Sequence, residues 1–573
     1  MSRSSFARRF IPSALMAAIV ACSGGDAADM VLTNGKVVTV DPAHPEAEAV
    51  AIRDGRILAV GSSAEMADYV GPGTEVVDLA GRLAVPGFIE GHGHYMGLGH
   101  AQMILDLTTA ADWEEIVAMV AEAASAAAPG TWIQGRGWHQ EKWSHTPEPS
   151  VEGNPVHGSL SAVSPDNPVL LGHASGHAAF ANARALELAG IGAGTPDPEG
   201  GTIVRGPDGA PTGLLRETAQ RIVSAVMAQT MNARSDEEKW KEFALQVELA
   251  GRNALENGVT SFHDAGSGFA TIDGLKRLAD EGSLPVRLYV MVRRESNDVM
   301  AEKLPAYRMV GYGNDFLTVR AIKRQIDGAL GSHGAWLLEP YEDMPGSTGL
   351  VLESVEDIEE TARIAIEAGY QVNTHAIGDR ANREVLDIYE RTFAGRDDAT
   401  DLRWRIEHAQ HVDPDDVDRF RQLGVIAAMQ GVHATSDAPW VYRRLGAGRA
   451  ESGAYLWRSF IDAGVVVTNG TDVPVEAISP VASFYASVVR RDRDGNEFFP
   501  SQRMTRMEAL ESYTINNAFA AFEEEIKGSI TPGKVADITV LDRDIMTVPE
   551  EEIAGARVDL TLVGGEIRFR RDG

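Results

Sequence analysis

The stretch Pro86-Gly87-Phe88-Ile89-Glu90-Gly91-His92-Gly93-His94 has the pattern of a buried β-strand that ends in two histidines. Side chains two residues apart on a strand face the same side, so both imidazoles are predicted to point the same way. Seven further apolar segments end in a polar residue or directly before one. We predict an α/β fold, a TIM-like (β/α)8 barrel, because its active site lies at the carboxyl ends of eight strands. The eight predicted strand segments are 84–94, 259–264, 286–292, 317–323, 370–375, 402–408, 424–430 and 464–472.

The two ends of the chain share a turn-rich pattern that is typical of short strands. Asn34-Gly35 and Asp54-Gly55 lie between β-branched runs, which is a strong hairpin signal. Similar apolar runs return near the C-terminus. Each part is too small to bury a core alone, so we predict that 30–85 and 526–573 form one composite β-sandwich.

The region between these ends, 86–525, is predicted to be the barrel. Apolar β-rich runs alternate there with helical stretches such as 354–368 and 381–393, as in parallel strands with crossover helices. The interval of about 95–250 is far too long for one loop. We therefore expect it to be a subdomain inserted after the first barrel strand.

The composition limits the classes of partner. Of 573 residues, 44% are hydrophobic and 24% are charged, which is typical of a globular protein with a large core. The net charge of −31, from 52 basic and 83 acidic residues, argues against nucleic acid and anionic lipid, because a polyanion would be repelled. The single cysteine, Cys22, excludes a disulfide within the chain. A small molecule is the expected partner, and a homodimer is compatible with the sequence.

Residues 1–21 are predicted to be a signal peptide of the lipoprotein type. Three arginines precede the apolar run 14–21, which is shorter than the roughly 20 residues that cross a bilayer. Ile19-Val20-Ala21-Cys22 resembles the bacterial lipobox, in which the cysteine is lipidated. We expect export to the periplasm-facing side of the cell envelope, with 22–29 as a tether and membrane contact only through the lipid. The alternative is an ordinary secretory signal with a chance cysteine, which would give a periplasmic protein.

Three more strand endings carry residues that suit a metal site. His375 and His408 end two successive segments, and histidine nitrogens are common zinc ligands. Lys323 ends the fourth segment, and an amine with a lowered pKa between two cations can react with carbon dioxide to form a bridging carbamate. The alternative is a surface lysine in a salt bridge, because Arg320 and Arg324 show that this segment carries other charges.

The eighth segment ends in Thr471-Asp472-Val473-Pro474. A carboxylate beside a water on a metal can take the proton of that water and return it to a leaving amine. We therefore predict that Asp472 is the catalytic acid and base and lies at the metal site. The alternative is a solvated aspartate in a turn.

These motifs resemble those of the amidohydrolase superfamily, and within it the YtcJ-like group that includes N-substituted formamide deformylases. The resemblance implies a distorted (β/α)8 barrel with a composite β-sandwich. It also implies one or two zinc ions, with other divalent metals acceptable, and a carboxylated lysine. The matching stretches are 86–94, 323–332, 373–381, 405–410 and 471–475. The implied metal ligands are His92, His94, Lys323, His375, His408 and Asp472.

Five other residues are candidates for contact with the substrate or support of the ligands. Arg380 is suited to a substrate carboxylate, although a salt bridge on a helix surface explains it equally well. The five candidates are His177, Glu217, Asp327, Arg380 and His411.

The sequence as a whole predicts a zinc-dependent hydrolase of amide-type C–N bonds other than peptide bonds. In this interpretation a water activated by the metal attacks a carbonyl, and Asp472 passes the proton to the departing nitrogen. Hydrolysis of an ester, a lactone or a cyclic amide is an alternative, because the same site attacks any activated carbonyl. A surface lipoprotein that binds metal or ligand without turnover is an alternative of another class.

Overall fold

A computed structural model describes residues 27–140, 143–174 and 178–572. The predicted signal peptide 1–21, with Cys22 directly after it, lies outside the described residues, and so does His177. In the part of the chain that is described, no helix is long and apolar enough to cross a membrane.

Eight parallel strands form a nearly closed barrel, so the predicted fold class is confirmed. Neighbouring strands pair in chain order from the first to the eighth. The backbone N–H of Asp472, just after the eighth strand, donates to the carbonyl of His92 in the first strand at 2.8 Å. Barrel strands 1 to 8 are Phe88–Gly93, Val259–Ser267, Arg287–Val292, Leu317–Gln325, Gln371–Ala376, Arg405–His408, Ile426–Gln430 and Val467–Gly470.

The first predicted segment, 84–94, is two strands rather than one. Leu83–Pro86 belongs to the β-sandwich, and Phe88–Gly93 is the first barrel strand. The chain changes sheet at Gly87, where a Cβ atom would lie 2.3 Å from the Oγ1 atom of Thr260. Only glycine therefore fits this close approach without a shift of the neighbouring strand.

Helices follow the strands and cover the outside of the barrel. The helix predicted over 354–368 begins after Ser354, whose side chain accepts a hydrogen bond from the amide of Asp357, and ends at Gly369 in the left-handed conformation. The helices after the eight strands are Asp236–Glu256, Phe269–Asp280, Asn297–Tyr307, Val355–Ala368, Asp379–Phe393, Val417–Leu423, Gly431–Leu445 and Pro480–Val489. Further helices are Ala447–Gly453, Trp457–Asp462, Arg506–Ser512 and Ile515–Ala520.

Two sheets built from both ends of the chain form the β-sandwich. Their facing side chains share one core that includes Leu32, Ile52 and Ile538. Arg287 at the start of barrel strand 3 forms a buried ion pair with Asp537, at 2.8 Å, and so joins the sandwich to the barrel. The first sheet has the order Arg56–Gly61, Ala49–Arg53, Met30–Thr33, Glu75–Asp78. The second has the order Glu566–Arg570, Val558–Val563, Ile538–Leu541, Leu83–Pro86, Lys36–Val38, Glu46–Ala47.

The insertion after barrel strand 1 contains a mixed six-stranded sheet with its own apolar cores. The last helix before barrel strand 2, Asp236–Glu256, belongs to the barrel core through Val247, Ala250 and Ala254. The sheet has the order Gly201–Arg205, Pro211–Glu217, Ala178–Ala181, Val169–His173, Ile133–Trp138, Leu105–Asp106. The helices of this region are Tyr95–Ala101, Trp113–Ala126, Gly158–Val163, Ala183–Leu188 and Gln220–Asn232.

The remaining regular elements are short and lie in connecting segments. The strands are Ser150–Val151, Asn154–Pro155 and Met309–Gly311. The α-helices are Ser63–Met66, Tyr312–Asp315 and Glu550–Ile553, and the 3-10 helices are Ala67–Tyr69, Ala399–Leu402, Pro414–Asp416 and Pro500–Gln502.

Candidate metal centre

Six residues predicted from strand endings meet at the carboxyl ends of the barrel strands. The Asp472 Oδ1 atom lies 3.2 Å from His94 Nε2 and 3.5 Å from His92 Nε2. The Lys323 Nζ atom lies 3.4 Å from His92 Nε2. The His408 ring is centred 4.7 Å from the His92 ring and 4.4 Å from the His375 ring. Strands 1, 4, 5, 6 and 8 thus bring together His92, His94, Lys323, His375, His408 and Asp472.

Local backbone geometry explains how two of these side chains reach the centre. His408 has φ of 76° and Asp472 has φ of 57°, in the left-handed region that only a few per cent of non-glycine residues adopt. Strained backbone of this kind costs about 1–3 kcal/mol and concentrates at functional sites. Gly91, between the strand residues Glu90 and His92, leaves room for Asn517, because a Cβ atom there would lie 2.3 Å from the Asn517 side-chain oxygen.

Hydrogen bonds fix the orientation of two imidazoles. His92 Nδ1 is in contact with the Glu407 carboxylate, and His408 Nδ1 lies 2.8 Å from Gln430 Oε1. When Nδ1–H donates to an acceptor outside the centre, the lone pair of Nε2 is free to face inward. Burial lowers the pKa of His92, and also that of His408, well below the ordinary value. Both rings are therefore neutral donors of a nitrogen lone pair.

Lys323 is a buried side chain rather than a surface lysine. It is 2% exposed, and burial lowers the pKa of its amine to about 8. The two arginines in the same strand point elsewhere: Arg320 lies over the Phe522 ring, and Arg324 pairs with Glu353. A substantial fraction of the Lys323 amine is therefore neutral near pH 8.

Asp472 remains a carboxylate despite its burial. Burial opposes ionisation, but the contact with His94 Nε2 at 3.2 Å and the other surrounding imidazoles hold its pKa below the usual range. A carboxylate among imidazoles is thus available as a proton acceptor at neutral pH.

The donor set fits one or two divalent cations. Within the described part of the chain, His375 Nε2 and Asp472 Oδ1 are buried without a hydrogen-bond partner. With its proton on Nδ1, His92 turns a nitrogen lone pair toward Asp472 Oδ1, which is repulsive unless a cation lies between them. Three groups, His92, His94 and Asp472, have ligand atoms within 4.8 Å of one another. Nitrogen and carboxylate donors in such a cluster suit zinc and similar metals.

The structure also brings in His433, which the sequence analysis missed. It lies in the helix Gly431–Leu445, and its ring is stacked on that of His408 with centroids 6.3 Å apart and an interplanar angle of 8°. The ligand atoms of His408, His433 and Asp472 lie within 4.8 Å of one another. The available signal was its place three residues after Gln430, the end of barrel strand 7.

Asp327 and His411 are buried close to the ends of strands 4 and 6. Asp327 accepts hydrogen bonds from the amides of Ile377 and Gly378, at 3.0 and 2.9 Å, and its Oδ1 atom lies 3.5 Å from His375 Nε2. Burial raises the pKa of Asp327 to about 7. His411 is buried without a hydrogen-bond partner for either ring nitrogen among the described residues, and burial lowers its pKa to about 3. Asp327 thus supports the loop beside a metal-ligand candidate.

The other candidates lie in different surroundings. Arg380 forms an ion pair at 2.5 Å with Glu384, one turn along the same helix, and its guanidinium lies over the Trp336 ring. Glu217 ends a strand of the insertion sheet and is exposed. His177 is outside the described residues. The salt bridge on a helix surface, one of the two interpretations of Arg380, is therefore present.

Comparisons with known proteins find relatives along almost the whole chain. The profile of the amidohydrolase family matches residues 75–569. The chain is 30% identical to the Bacillus subtilis protein YtcJ over 94% of this chain and 98% of that protein. It is also 30% identical to the N-substituted formamide deformylase of Arthrobacter pascens over 95% of this chain and 99% of that enzyme.

A solved structure also matches this chain along most of its length. An uncharacterized metal-dependent hydrolase from Pyrococcus furiosus matches with a TM-score of 0.72 and 27% identity, over 90% of this chain and 100% of that one. The resemblance seen in the sequence motifs is thereby confirmed. The chain belongs to the amidohydrolase family.

Proposed function

We propose that this hydrolase uses zinc to cleave amide-type C–N bonds other than peptide bonds. The observation that carries the proposal is the carboxylate of Asp472, held 3.2 Å from His94 and 3.5 Å from His92 at the mouth of the barrel. The name of the formamide deformylase among the relatives supports an amide nitrogen as the leaving group.

Four histidines and one lysine would hold the metal. Bound there, a divalent cation would polarise a carbonyl and lower the pKa of a water. The neutral amine of Lys323 would react with carbon dioxide, forming a C–N bond and releasing one proton, and the resulting carbamate would be an anionic ligand. The proposed ligands are His92, His94, Lys323, His375 and His408, with Asp472 beside them.

Asp472 would carry the proton between the two halves of the reaction. Its lowered pKa keeps it ionised at neutral pH, so it accepts a proton from the attacking water. It then returns that proton to the amide nitrogen as the C–N bond breaks, so that a neutral amine leaves. Burial of the carboxylate excludes bulk water from this transfer.

The alternative functions differ in whether they need Asp472 to deliver a proton. An amide needs a proton on its leaving nitrogen, whereas the alkoxide of an ester or lactone leaves more readily without one. A site that only bound metal or ligand would not need a proton carrier. The carboxylate of Asp472 beside the ligand histidines therefore favours an amide hydrolase.

A substrate panel tests this function directly. Zinc-loaded protein is assayed with formamides, carboxamides, cyclic amides, lactones and esters, with Asp472→Asn as the matched control. We expect turnover of one amide class and its loss in the control. Turnover of esters or lactones alone would replace the amide assignment, and no turnover of any member would contradict the proposal.

We also propose that the protein is exported and anchored at the cell envelope by a lipid on Cys22. The support is the basic, apolar and cysteine-containing order of the first 22 residues. Contact with the membrane would be confined to that lipid, and a homodimer would be compatible with this arrangement.

A further inference from the structure

Arg293 lies beside the metal centre at the end of barrel strand 3. This strand, Arg287–Val292, pairs in parallel with strand 4, and Val292 is opposite Ile322. Arg293 directly follows Val292, and Lys323 directly follows Ile322, so these two residues lie at the same level of the barrel. A side chain as long as arginine can therefore reach over the carboxyl ends of the strands.

The stem of Arg293 lies in a space that only glycine provides. Gly266 has φ of 134°, and a Cβ atom there would lie 2.3 Å from the Cβ atom of Arg293. The guanidinium donates to two neutral acceptors, Gln325 Oε1 at 2.8 Å and the carbonyl of Ala265 at 3.4 Å. Two of its five N–H donors are thus used for positioning, and three remain without an acceptor among the residues that the structure describes.

Arg293 has no carboxylate partner within 4.0 Å among the described residues, although it is half-buried. Three acids act on it electrostatically from farther away, and two of them are already engaged. Asp264 accepts from the Tyr95 amide at 3.0 Å, and Glu353 pairs with Arg324 at 3.5 Å. Asp472 is the third acid, and it faces the histidines. A half-buried guanidinium without a paired anion is costly unless a ligand supplies one.

The charge of Arg293 is directed toward the reacting region. Its hydrogen-bond acceptor Gln325 is in register with the metal-ligand candidate His375 on barrel strand 5. Arginine stays protonated in proteins, so this positive charge is permanent. An anionic group that entered the mouth of the barrel would meet it next to the ligand cluster.

We propose that Arg293 binds a carboxylate of the substrate, and that the substrates are amides that carry a carboxylate, such as N-acyl amino acids. The inference rests on the proposed amide hydrolase activity. A guanidinium binds a carboxylate through two parallel N–H donors, which fixes both the position and the orientation of the bound molecule. Gly266 and Gln325 are positioning residues, because they hold Arg293 without touching the substrate.

A matched pair of substrates tests the proposal. N-formylleucine and N-formylleucinamide have the same formamide bond and differ by one negative charge, and release of formate measures both. With zinc-loaded full-length protein we expect kcat/KM to be higher for the acid. Arg293→Gln should lower kcat/KM for the acid by about 10- to 100-fold and leave the neutral amide nearly unchanged. Arg293→Lys should recover part of the loss.

Two control variants separate this role from general effects of charge. Arg294→Gln removes the exposed neighbouring arginine, and Arg380→Gln removes the arginine that is paired with Glu384. Both should keep the preference for the acid. Equal losses on both substrates in Arg293→Gln, or loss of the preference in a control variant, would overturn the proposal.

Calorimetry distinguishes this inference from the proposed function. Titration of zinc-loaded protein with N-formylleucine measures binding whether or not turnover occurs. Weaker binding of the acid in Arg293→Gln, with unchanged binding of the amide, supports the carboxylate site even if neither substrate is hydrolysed. Equal binding of the acid by wild type and Arg293→Gln, or no binding by wild type, would overturn it.

Discussion

Glu90 accepts two hydrogen bonds from Thr471 across the seam at which the barrel closes. The Thr471 amide lies 2.5 Å from Oε1, and the Thr471 hydroxyl lies 3.1 Å from Oε2. The next amide, that of Asp472, donates to the carbonyl of His92 at 2.8 Å. Side-chain hydrogen bonds thus join strands 1 and 8 at the candidate metal centre. The position of Asp472, the proposed proton carrier, is therefore set by the strand that carries two of the metal-ligand candidates.

Glu90→Ala should destabilise the protein. The change leaves two buried donors of Thr471 without an acceptor, which costs about 1–3 kcal/mol for each such group. Glu90→Gln keeps one acceptor oxygen and should cost less. Urea denaturation of metal-free protein measures the free energy of unfolding, and an alanine variant as stable as wild type would show that this contact is dispensable.

Asp472→Asn should separate metal binding from chemistry. The amide has the size of the carboxylate but cannot accept the proton, and general acid–base catalysis contributes about 10²–10⁴-fold in rate. We expect kcat to fall by at least that factor while the histidines and Lys323 still hold metal. Stopped assays and elemental analysis of the same preparation measure the two properties. Near-normal turnover would remove Asp472 from the mechanism, and loss of all metal would make it chiefly a ligand.

Chelation should abolish activity, and zinc, manganese or cobalt should restore it. The reason is that activation of water at neutral pH depends on the cation. Elemental analysis should find about two metals per chain if the centre is binuclear, and a value near one would indicate a mononuclear centre. Full activity of metal-free protein would contradict the mechanism.

Lys323→Ala should lose both metal and activity. Short carboxylic acids such as acetate should restore part of each, because they supply the anion that the carbamate would provide. Methylamine, which adds a cation of similar size, is the control and should have no effect. A variant with normal metal content and normal rate would show that the amine is not modified into a ligand.

Cys22→Ser should abolish lipid attachment without changing hydrolysis, since the residue is far in sequence from every proposed ligand. Labelled fatty acid should enter the wild-type protein but not the variant, and the variant should appear in the soluble exported fraction. If the wild type takes up no label, the segment is an ordinary signal peptide.

The candidate site residues at the ends of strands could be predicted from the sequence. A polar residue at the end of an apolar run has few purely structural roles. This holds for His375 and His408, which the barrel brings to adjacent positions with ring centres 4.4 Å apart. His433 was missed because it lies on a helix past the strand, where a histidine resembles many surface residues. Arg293 was missed because it is followed by a second arginine, a pattern typical of a solvated turn.

Other features could not be derived from local sequence. The break at Gly87 depends on contact with Thr260, which is 173 positions away in the chain. The sheet of the insertion depends on pairings between distant strands, which no periodicity encodes. The tautomers of the histidines depend on acceptors such as Gln430, which only the folded barrel places beside them.

Strand pairing in the β-sandwich determines which parts of the chain can complete their folding first during synthesis. The strand Leu83–Pro86 pairs with Ile538–Leu541, so an early strand has to wait for one made near the end of translation. Until then its edge is open, and the entire barrel must emerge from the ribosome before the edge is covered. Such long-range pairing slows folding and exposes the nascent chain to aggregation. A protein truncated in its last tenth, and so lacking Ile538–Leu541, would therefore aggregate or depend on a chaperone instead of folding into a smaller enzyme.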